Sequence, residues 1–294
     1  MLQRRENWVG YAFLLPSLIG FIVLKLYPVV FSLILGFCEW DLISGWDNIK
    51  FIGIENFIEM LDDRYVVSSF SNTLRYVLMV VPGQLIIGIV VAVILEKCVF
   101  FKRYFRTTFF MPYIANTVAV SVVWMAMFHP SMGPVNSVLK SIGIQNPPGW
   151  LSSRDWALTT IALMSIWTGS GYNIVVNMAA LQGIPNELYE AAKIDGASGF
   201  QSFVRITIPL LSPTTFYLML IKTIGTFQVF GPVKLMTQGG PGRSTMVVVY
   251  EIYREAFQYY KIGYASAQTL VLFVIIMLVT LVQMKLQKKW VYQY

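Results

Sequence analysis

Polar side chains recur along the otherwise apolar stretch 157–181, at a spacing that places them on one face of a helix. They are Ser165, Thr168, Gly169, Tyr172 and Asn173. Hydroxyl, amide and aromatic groups in this arrangement can contact a polar solute, whereas small and polar residues also hold membrane helices together. Both interpretations, a solute cavity and interhelical packing, stay open at this point.

Single polar residues also interrupt three other apolar stretches. Lys25 lies near Tyr27 and Pro28, so we expect its ammonium to reach the membrane surface. Lys222 lies about twelve residues into its stretch, where a charge usually faces a polar cavity or a partner. For Lys222, a place in a cavity wall and snorkelling to the surface are both open. Asn116 is a further candidate for a solute pathway.

The residues that most often carry out catalysis are scarce or badly placed. His129 is the single histidine and stands beside Pro130 at the end of an apolar stretch. The chain has no HExxH, paired-cysteine, GxSxG or Walker A pattern. We therefore expect no enzymatic activity, no bound metal and no cofactor on this chain.

The elements that must position the polar residues are membrane helices. Hydrophobic residues make up 56% of the 294 residues and charged residues 13%, against about 25% charged in soluble domains. The mean hydropathy is +0.62. A span needs about 20 apolar residues, and six stretches qualify. They are 11–37, 76–95, 107–128, 157–181, 210–233 and 262–284. The sequence predicts an all-α membrane protein with six transmembrane helices in a single domain, 1–294.

The basic residues predict how these spans are oriented. If the N-terminus is cytoplasmic, the inner segments hold eleven Lys and Arg against five acids, and the outer segments hold nine against ten. The net charge of +7 therefore fits a bilayer better than nucleic acid. Both termini and the loop 182–205 are predicted to be cytoplasmic, in a multi-pass protein of the plasma (inner) membrane. Cys38 and Cys98 then lie near opposite faces, and no disulfide is expected.

The loop between the fourth and fifth spans has the pattern of a compact helix. Pro185 suits a first helical turn, and Glu187 and Glu190 follow where the helix dipole favours carboxylates. Ala191 then belongs to a small apolar face, and Gly196 can supply the left-handed residue that ends the helix. A small amphipathic helix held between two spans is a plausible place for another protein to bind.

This loop resembles the EAA signature of permease subunits in binding-protein-dependent ABC importers. The residues that carry the resemblance are Glu190, Ala191, Ala192, Gly196, Ile206 and Pro209. Ile208 stands where that family more often has Leu. The segments 106–113, 51–57 and 239–245 are similar to the sugar-transporting, maltose and glycerol-3-phosphate branch, so the resemblance covers most of the chain.

The resemblance implies partners and roles. The cytoplasmic loop would dock into a groove of an ATPase subunit through Glu190, Ala191, Ala192, Asp195 and Gly196. For Asp195, contact with the partner and a hydrogen bond within the turn are both open. A sugar cavity between the spans on either side of the loop would involve Asn116, Ser165, Gly169, Tyr172, Asn173 and Lys222. ATP and magnesium would bind the ATPase.

The expected importer contains a second homologous permease, two ATPase subunits, an extracytoplasmic solute-binding protein and a sugar substrate. An ion-coupled secondary transporter is disfavoured because the six stretches contain no Asp or Glu, which typically mark proton or cation pathways. A scaffold without transport activity is another alternative. A glycerol-3-phosphate-type solute in place of a sugar is an alternative within the same family.

Overall fold

The computed structural model describes residues 2–41, 43–97 and 102–292, so Cys98 lies outside the described residues. The first elements in chain order are α1 (Leu2–Phe21), α2 (Tyr27–Leu35), β1 (Cys38–Glu39), β2 (Lys50–Phe51), α3 (Glu55–Asp62), α4 (Arg64–Lys97), α5 (Lys102–Ile114) and α6 (Thr117–Met127). They are followed by α7 (Pro134–Ser141), α8 (Ala157–Gln182), α9 (Asn186–Ile194), α10 (Gly199–Ser202), α11 (Ile208–Phe227), α12 (Gly231–Met236), α13 (Val248–Phe257) and α14 (Ile262–Trp290). Two π-helical segments, Ile22–Leu26 and Phe203–Thr207, join α1 to α2 and α10 to α11.

One compact unit contains the chain up to Val66 together with Glu251–Val274. A buried amide organises its centre, because Asn56 Nδ2 donates to the carbonyl oxygens of Gly36 and Cys38, at 3.0 Å each. Beside it, β1 and β2 form a two-residue antiparallel ladder. The described chain is predominantly helical, as predicted, and this short ladder lets the backbone after α2 satisfy its polar groups.

A second unit contains Val67–Tyr250 and the residues from Ile275 onward. Glycines let its helices approach closely. A Cβ on Gly171 of α8 would lie 2.3 Å from the carbonyl oxygen of Phe109 in α5, and a Cβ on Gly88 of α4 would lie 2.6 Å from the Cβ atom of Asn173. The neighbouring apolar core contains Ala92, Leu95, Ile174 and Met178. Small residues at membrane helix contacts have this effect generally.

Several helices are long and apolar enough to cross a membrane. Among the described residues there are four such stretches, and the pair α5 and α6 makes a fifth if it is one broken span. The four are Phe13–Leu35, Arg64–Glu96, Gly199–Phe227 and Ile262–Trp290. Helix α8 has 26 residues, but its Ser, Thr, Gly and Asn residues make it less apolar than those four stretches. Six spans therefore stay a prediction.

The third predicted span, 107–128, is not one continuous helix in the structure. Its two helices, α5 and α6, meet at a bend of 96°. The backbone of Asn116 is extended, and its side chain accepts a hydrogen bond of 2.8 Å from the N–H of Val118. An N-cap of this kind begins a new helix, so α6 starts in a new direction.

The fifth span also begins and ends earlier than the predicted 210–233. Ser198 and Gln201 form a reciprocal capping box that starts a helix at Gly199, inside the predicted loop 182–205. This helix continues through the π-helical segment to Phe227. Pro213 leaves the carbonyl of Pro209 without a helical N–H, and Ser212 Oγ donates to that carbonyl at 2.6 Å. The helix therefore passes both prolines.

The close contact of α5 and α8 predicts a stability effect. We expect Gly171→Ala to destabilise the protein by about 1–3 kcal/mol, as overpacking usually does, because the added methyl meets backbone. Thermal unfolding of the detergent-purified protein, followed by tryptophan fluorescence, measures the change. The matched control is Gly225→Ala in α11, where a Cβ would have no neighbour within 4 Å. Equal unfolding temperatures for the two variants would contradict the contact.

Candidate functional site

A cavity of about 370 Å³ lies among α4, α5, α8 and α11 of the second unit. Its wall includes apolar side chains such as Val80, Val120 and Met164. The polar groups at the cavity are those of Tyr76, Gln84, Tyr113, Thr117, Ser165, Thr168, Lys222 and Thr226. A mostly apolar wall with a few convergent polar groups is typical of small-molecule sites.

Hydrogen bonds between α4 and α8 hold one side of this cavity. Tyr76 Oη donates to Ser165 Oγ at 2.6 Å, and Gln84 Nε2 donates to the carbonyl oxygen of Ser165 at 2.7 Å. The side-chain oxygen Oε1 of Gln84 is buried and has no hydrogen-bond partner among the described residues. Because membrane interiors supply no water to such a group, Gln84 Oε1 is left as an unsatisfied acceptor beside the cavity.

The absence of a side chain on Gly169 makes room for this glutamine. A Cβ at Gly169 would lie 2.0 Å from Gln84 Nε2 and 2.8 Å from its Oε1. The carbonyl oxygen of Gly169 also accepts a hydrogen bond of 3.3 Å from Lys222 Nζ. The backbone at Gly169 therefore lies against both Gln84 and Lys222.

Two tyrosine rings surround the ammonium group of Lys222. The Nζ atom lies 5.3 Å from the ring centre of Tyr113 and 5.1 Å from that of Tyr172. The two ring centres are 5.2 Å apart. Faces of tyrosine attract a cation at such distances, so α5 and α8 together hold the lysine of α11. The structure thus places Lys222 at the cavity, which is the first of the two alternatives from the sequence.

The other predicted pathway residues divide into two groups. Ser165, Thr168 and Gly169 line the cavity, and Tyr172 reaches it through its contact with Lys222. The expectation that Asn173 shares this face is wrong. Eight residues of helix after Ser165 give about 80° of rotation beyond two turns, and Asn173 is fully buried beside Gly88.

Asn116 is exposed and caps α6, and does not line the cavity, although its neighbours Ala115 and Thr117 do. Sequence reasoning missed three residues that contribute directly: Tyr76, Gln84 and Tyr113. Gln84 had a signal, since it is the one amide within the apolar stretch 76–95. Nothing in the sequence distinguished Tyr113 from the many other aromatic residues.

A second candidate site is the exposed helix α9, which follows Pro185. It ends at Ile194, Asp195 is its C-cap residue, and Gly196 takes the left-handed conformation predicted for it, with φ +78°. The N–H of Ala197 donates to the carbonyl oxygen of Ala192 at 2.9 Å, which closes the helix end. Tyr189 Oη and Thr207 Oγ1, 3.0 Å apart, connect α9 to the π-helical segment before α11.

The surface of this loop is open. Glu190, Ala191 and Asp195 are exposed and Ala192 is half-buried. Within the described part of the chain, the carboxylate of Asp195 accepts no hydrogen bond, so the structure lacks the bond within the turn that was one alternative. Ile194 and Phe200 are 87% and 75% exposed. Large apolar side chains exposed beside carboxylates are typical of a protein contact.

Comparisons with known proteins show the family to which this chain belongs. Residues 64–292 match the family described as binding-protein-dependent transport system inner membrane component. The chain is 36% identical over 294 residues to the probable ABC transporter permease protein YesP of Bacillus subtilis, covering 98% of this chain and 93% of YesP. It is 29% identical to the sn-glycerol-3-phosphate transport system permease protein UgpA of Shigella flexneri, covering 96% of this chain and 94% of UgpA.

A solved structure shows the same fold. It is the crystal structure of a bacterial alginate ABC transporter in complex with an alginate pentasaccharide-bound periplasmic protein. The TM-score is 0.84 at 24% identity, covering 97% of this chain and 96% of the other. The chain belongs to the binding-protein-dependent transport system inner membrane component family and is a permease subunit of an ABC importer.

Proposed function

We propose that this permease moves a sugar or oligosaccharide across the inner membrane by alternating access, driven by ATP hydrolysis in separate subunits. The cavity of the second unit carries this proposal. Its volume of about 370 Å³ lies in the range of small-molecule sites, about 300–1,000 Å³. Its hydroxyl, amide and tyrosine groups suit the hydroxyls and ring faces of a sugar. UgpA is named for sn-glycerol-3-phosphate, and a solute of that type is the alternative.

The source of energy is argued from charge. Among the described residues, the cavity is lined by no Asp or Glu, and these are the usual carriers of protons or cations in coupled transporters. The exposed helix α9 instead offers Glu190, Ala191 and Asp195 to a partner. Contact with an ATPase through this helix, including Ala192 and Gly196, couples nucleotide binding to the switch between inside-open and outside-open states. ATP and magnesium belong to that ATPase.

The proposed assembly has a second homologous permease, two ATPase subunits and an extracytoplasmic binding protein. The apolar surface of the first span is exposed, with Phe13 and Leu24 82% and 76% exposed. This surface supports a further protein partner or lipid around the span. The alginate transporter was solved with a periplasmic protein, which supports the binding protein. We also propose that α8 crosses the membrane as the fourth of six spans, that both termini are cytoplasmic and that α9 lies on the same side.

Transport is tested with the complete importer reconstituted in lipid vesicles. We expect uptake of a labelled saccharide to require both ATP and the binding protein, because the described residues that line the cavity include no coupling carboxylate. Collapse of proton and sodium gradients is the control and should leave uptake unchanged. Uptake that follows an ion gradient without ATP would instead support a secondary transporter.

The topology is tested by labelling single cysteines. In a chain with Cys38 and Cys98 replaced by serine, Lys193→Cys in α9 should react with a membrane-impermeant maleimide only after the cells are opened. The matched position is Lys140→Cys in α7, which is also exposed and should react in intact cells. The expectation follows from the excess of basic residues on the inner segments. Labelling of position 193 from outside would exclude α9 as an ATPase contact.

The coupling role is tested at Gly196 and Ala191. Gly196→Val places a Cβ at φ +78°, which costs roughly 1–2 kcal/mol, and Ala191→Trp adds bulk to an exposed face. We expect each variant to reach the membrane, to lose the ATPase on purification and to abolish uptake.

The matched control is Gly199→Val, three residues further along. Gly199 lies in the first turn of α10 without a positive φ, and a Cβ there would have no neighbour within 4 Å. It should keep both the ATPase and uptake. Normal ATPase recovery with Gly196→Val and Ala191→Trp would show that the loop is only a connector.

A further inference from the structure

The wall of the cavity has an unbalanced charge. Lys222 is the one ionisable cation among the described residues that line it, and no Asp or Glu lines it. The described ion pairs of the chain do not include Lys222. Its contacts are with neutral groups, the carbonyl of Gly169 and the rings of Tyr113 and Tyr172.

These neutral contacts satisfy only part of the ammonium group. A lysine side chain has three N–H donors, and among the described residues Lys222 has one hydrogen-bond acceptor, at 3.3 Å. Ring faces attract the charge but accept no conventional hydrogen bond. A cation removed from water without a counter-ion is costly. An anion that enters the cavity would supply both the missing charge and the missing acceptors.

A second group without a hydrogen-bond partner among the described residues, the side-chain oxygen of Gln84, lies beside Gly169. Gln84 Oε1 is buried and unpartnered, and it would lie 2.8 Å from a Cβ on Gly169. The same Gly169 provides the carbonyl that contacts Lys222. A free acceptor and an unbalanced cation therefore flank one residue. A ligand that fits both must donate a hydrogen bond, as a hydroxyl does, and also carry a negative charge.

On the basis of the proposed function, we propose that the solute is an acidic saccharide, whose carboxylate or phosphate pairs with Lys222. A hydroxyl of the same sugar donates to Gln84 Oε1, and a sugar ring lies against Tyr113. A neutral sugar of the same shape enters less well, because it leaves the ammonium without a counter-ion. Sites built around a charged or hydrogen-bonding group discriminate strongly against a ligand that lacks the partner group.

The test uses the reconstituted importer with its own binding protein and solutes matched in pairs. Each uronate oligosaccharide (galacturonate, glucuronate, mannuronate) is compared with its neutral counterpart, and each hexose 6-phosphate with the free hexose. We expect an acidic member to have the highest kcat/KM for ATP-driven uptake. The uronate and phosphate pairs show which anion is the natural one.

Variants of Lys222 then test the assignment to this residue. Lys222→Met should lower kcat/KM for the acidic solute by about 10- to 100-fold, the usual effect of losing a charge-assisted hydrogen bond. It should leave uptake of the neutral counterpart unchanged or raised. Lys222→Arg keeps the charge and should preserve the preference for the acid. The matched control is Lys234→Met, since Lys234 lies 5.3 Å from the ring of Phe230 but does not line the cavity.

The outcomes separate the two proposals. A neutral saccharide as the best solute, or an equal effect of Lys222→Met on both members of a pair, would overturn the acidic-saccharide proposal and leave sugar import intact. Loss of the second permease from purified Lys222→Met would also overturn it, because the lysine would then pair with a neighbouring subunit. Absence of ATP-driven uptake for every saccharide and phosphate would refute the proposed function itself.

Discussion

A polar group within hydrocarbon must find its partner inside the protein, and this constraint accounts for most of the second unit. The carbonyl that Pro213 leaves free is satisfied by Ser212 Oγ. In α8, Thr160 Oγ1 and Ser170 Oγ donate to the carbonyls of Trp156 and Ile166, at 2.8 and 2.6 Å. Polar residues and prolines can therefore occur in long helices without breaking them. Gln84 Oε1 at the cavity is one buried group that stays unpartnered among the described residues, and both polar atoms of the Asn173 amide in α8 are others.

The cavity depends on the smallest residues of α8. Gly171 lets α5 approach closely, which brings Tyr113 beside Tyr172. Gly169 leaves space for Gln84 and offers its carbonyl to Lys222. Larger side chains at these two positions would separate the helices and fill the space where the polar groups meet. Small residues thus shape the site without contacting a solute through side chains of their own.

The two candidate sites are connected by a side-chain hydrogen bond and one continuous helical stretch. Helix α9 contacts the segment before α11 through Tyr189 and Thr207, and the helical stretch Gly199–Phe227 continues from there to Lys222. In the proposed coupling, movement of α9 against the ATPase would be carried along this stretch to the cavity wall. A rigid element of this kind is a physical route for coupling between distant sites.

Local patterns in the sequence were sufficient for the class of protein and for single helices. Apolar stretches of span length, the helix of the loop 182–205 and the left-handed Gly196 are properties of neighbouring residues, since capping and helical periodicity act within a few positions. Asn116 shows the limit of such patterns. Its capping chemistry is local, but the bend of 96° that it begins was not predicted, because the apolar pattern continues across it.

The make-up of the cavity was decided by tertiary structure alone. Helical spacing grouped Ser165, Gly169 and Asn173 on one helix, but it does not say which neighbour each will face. The contact of α8 with α4 buries Asn173 against Gly88 and brings Gln84 to Ser165. Periodicity determines directions around one helix axis, whereas the distance and rotation between two helices depend on packing of residues far apart in the chain.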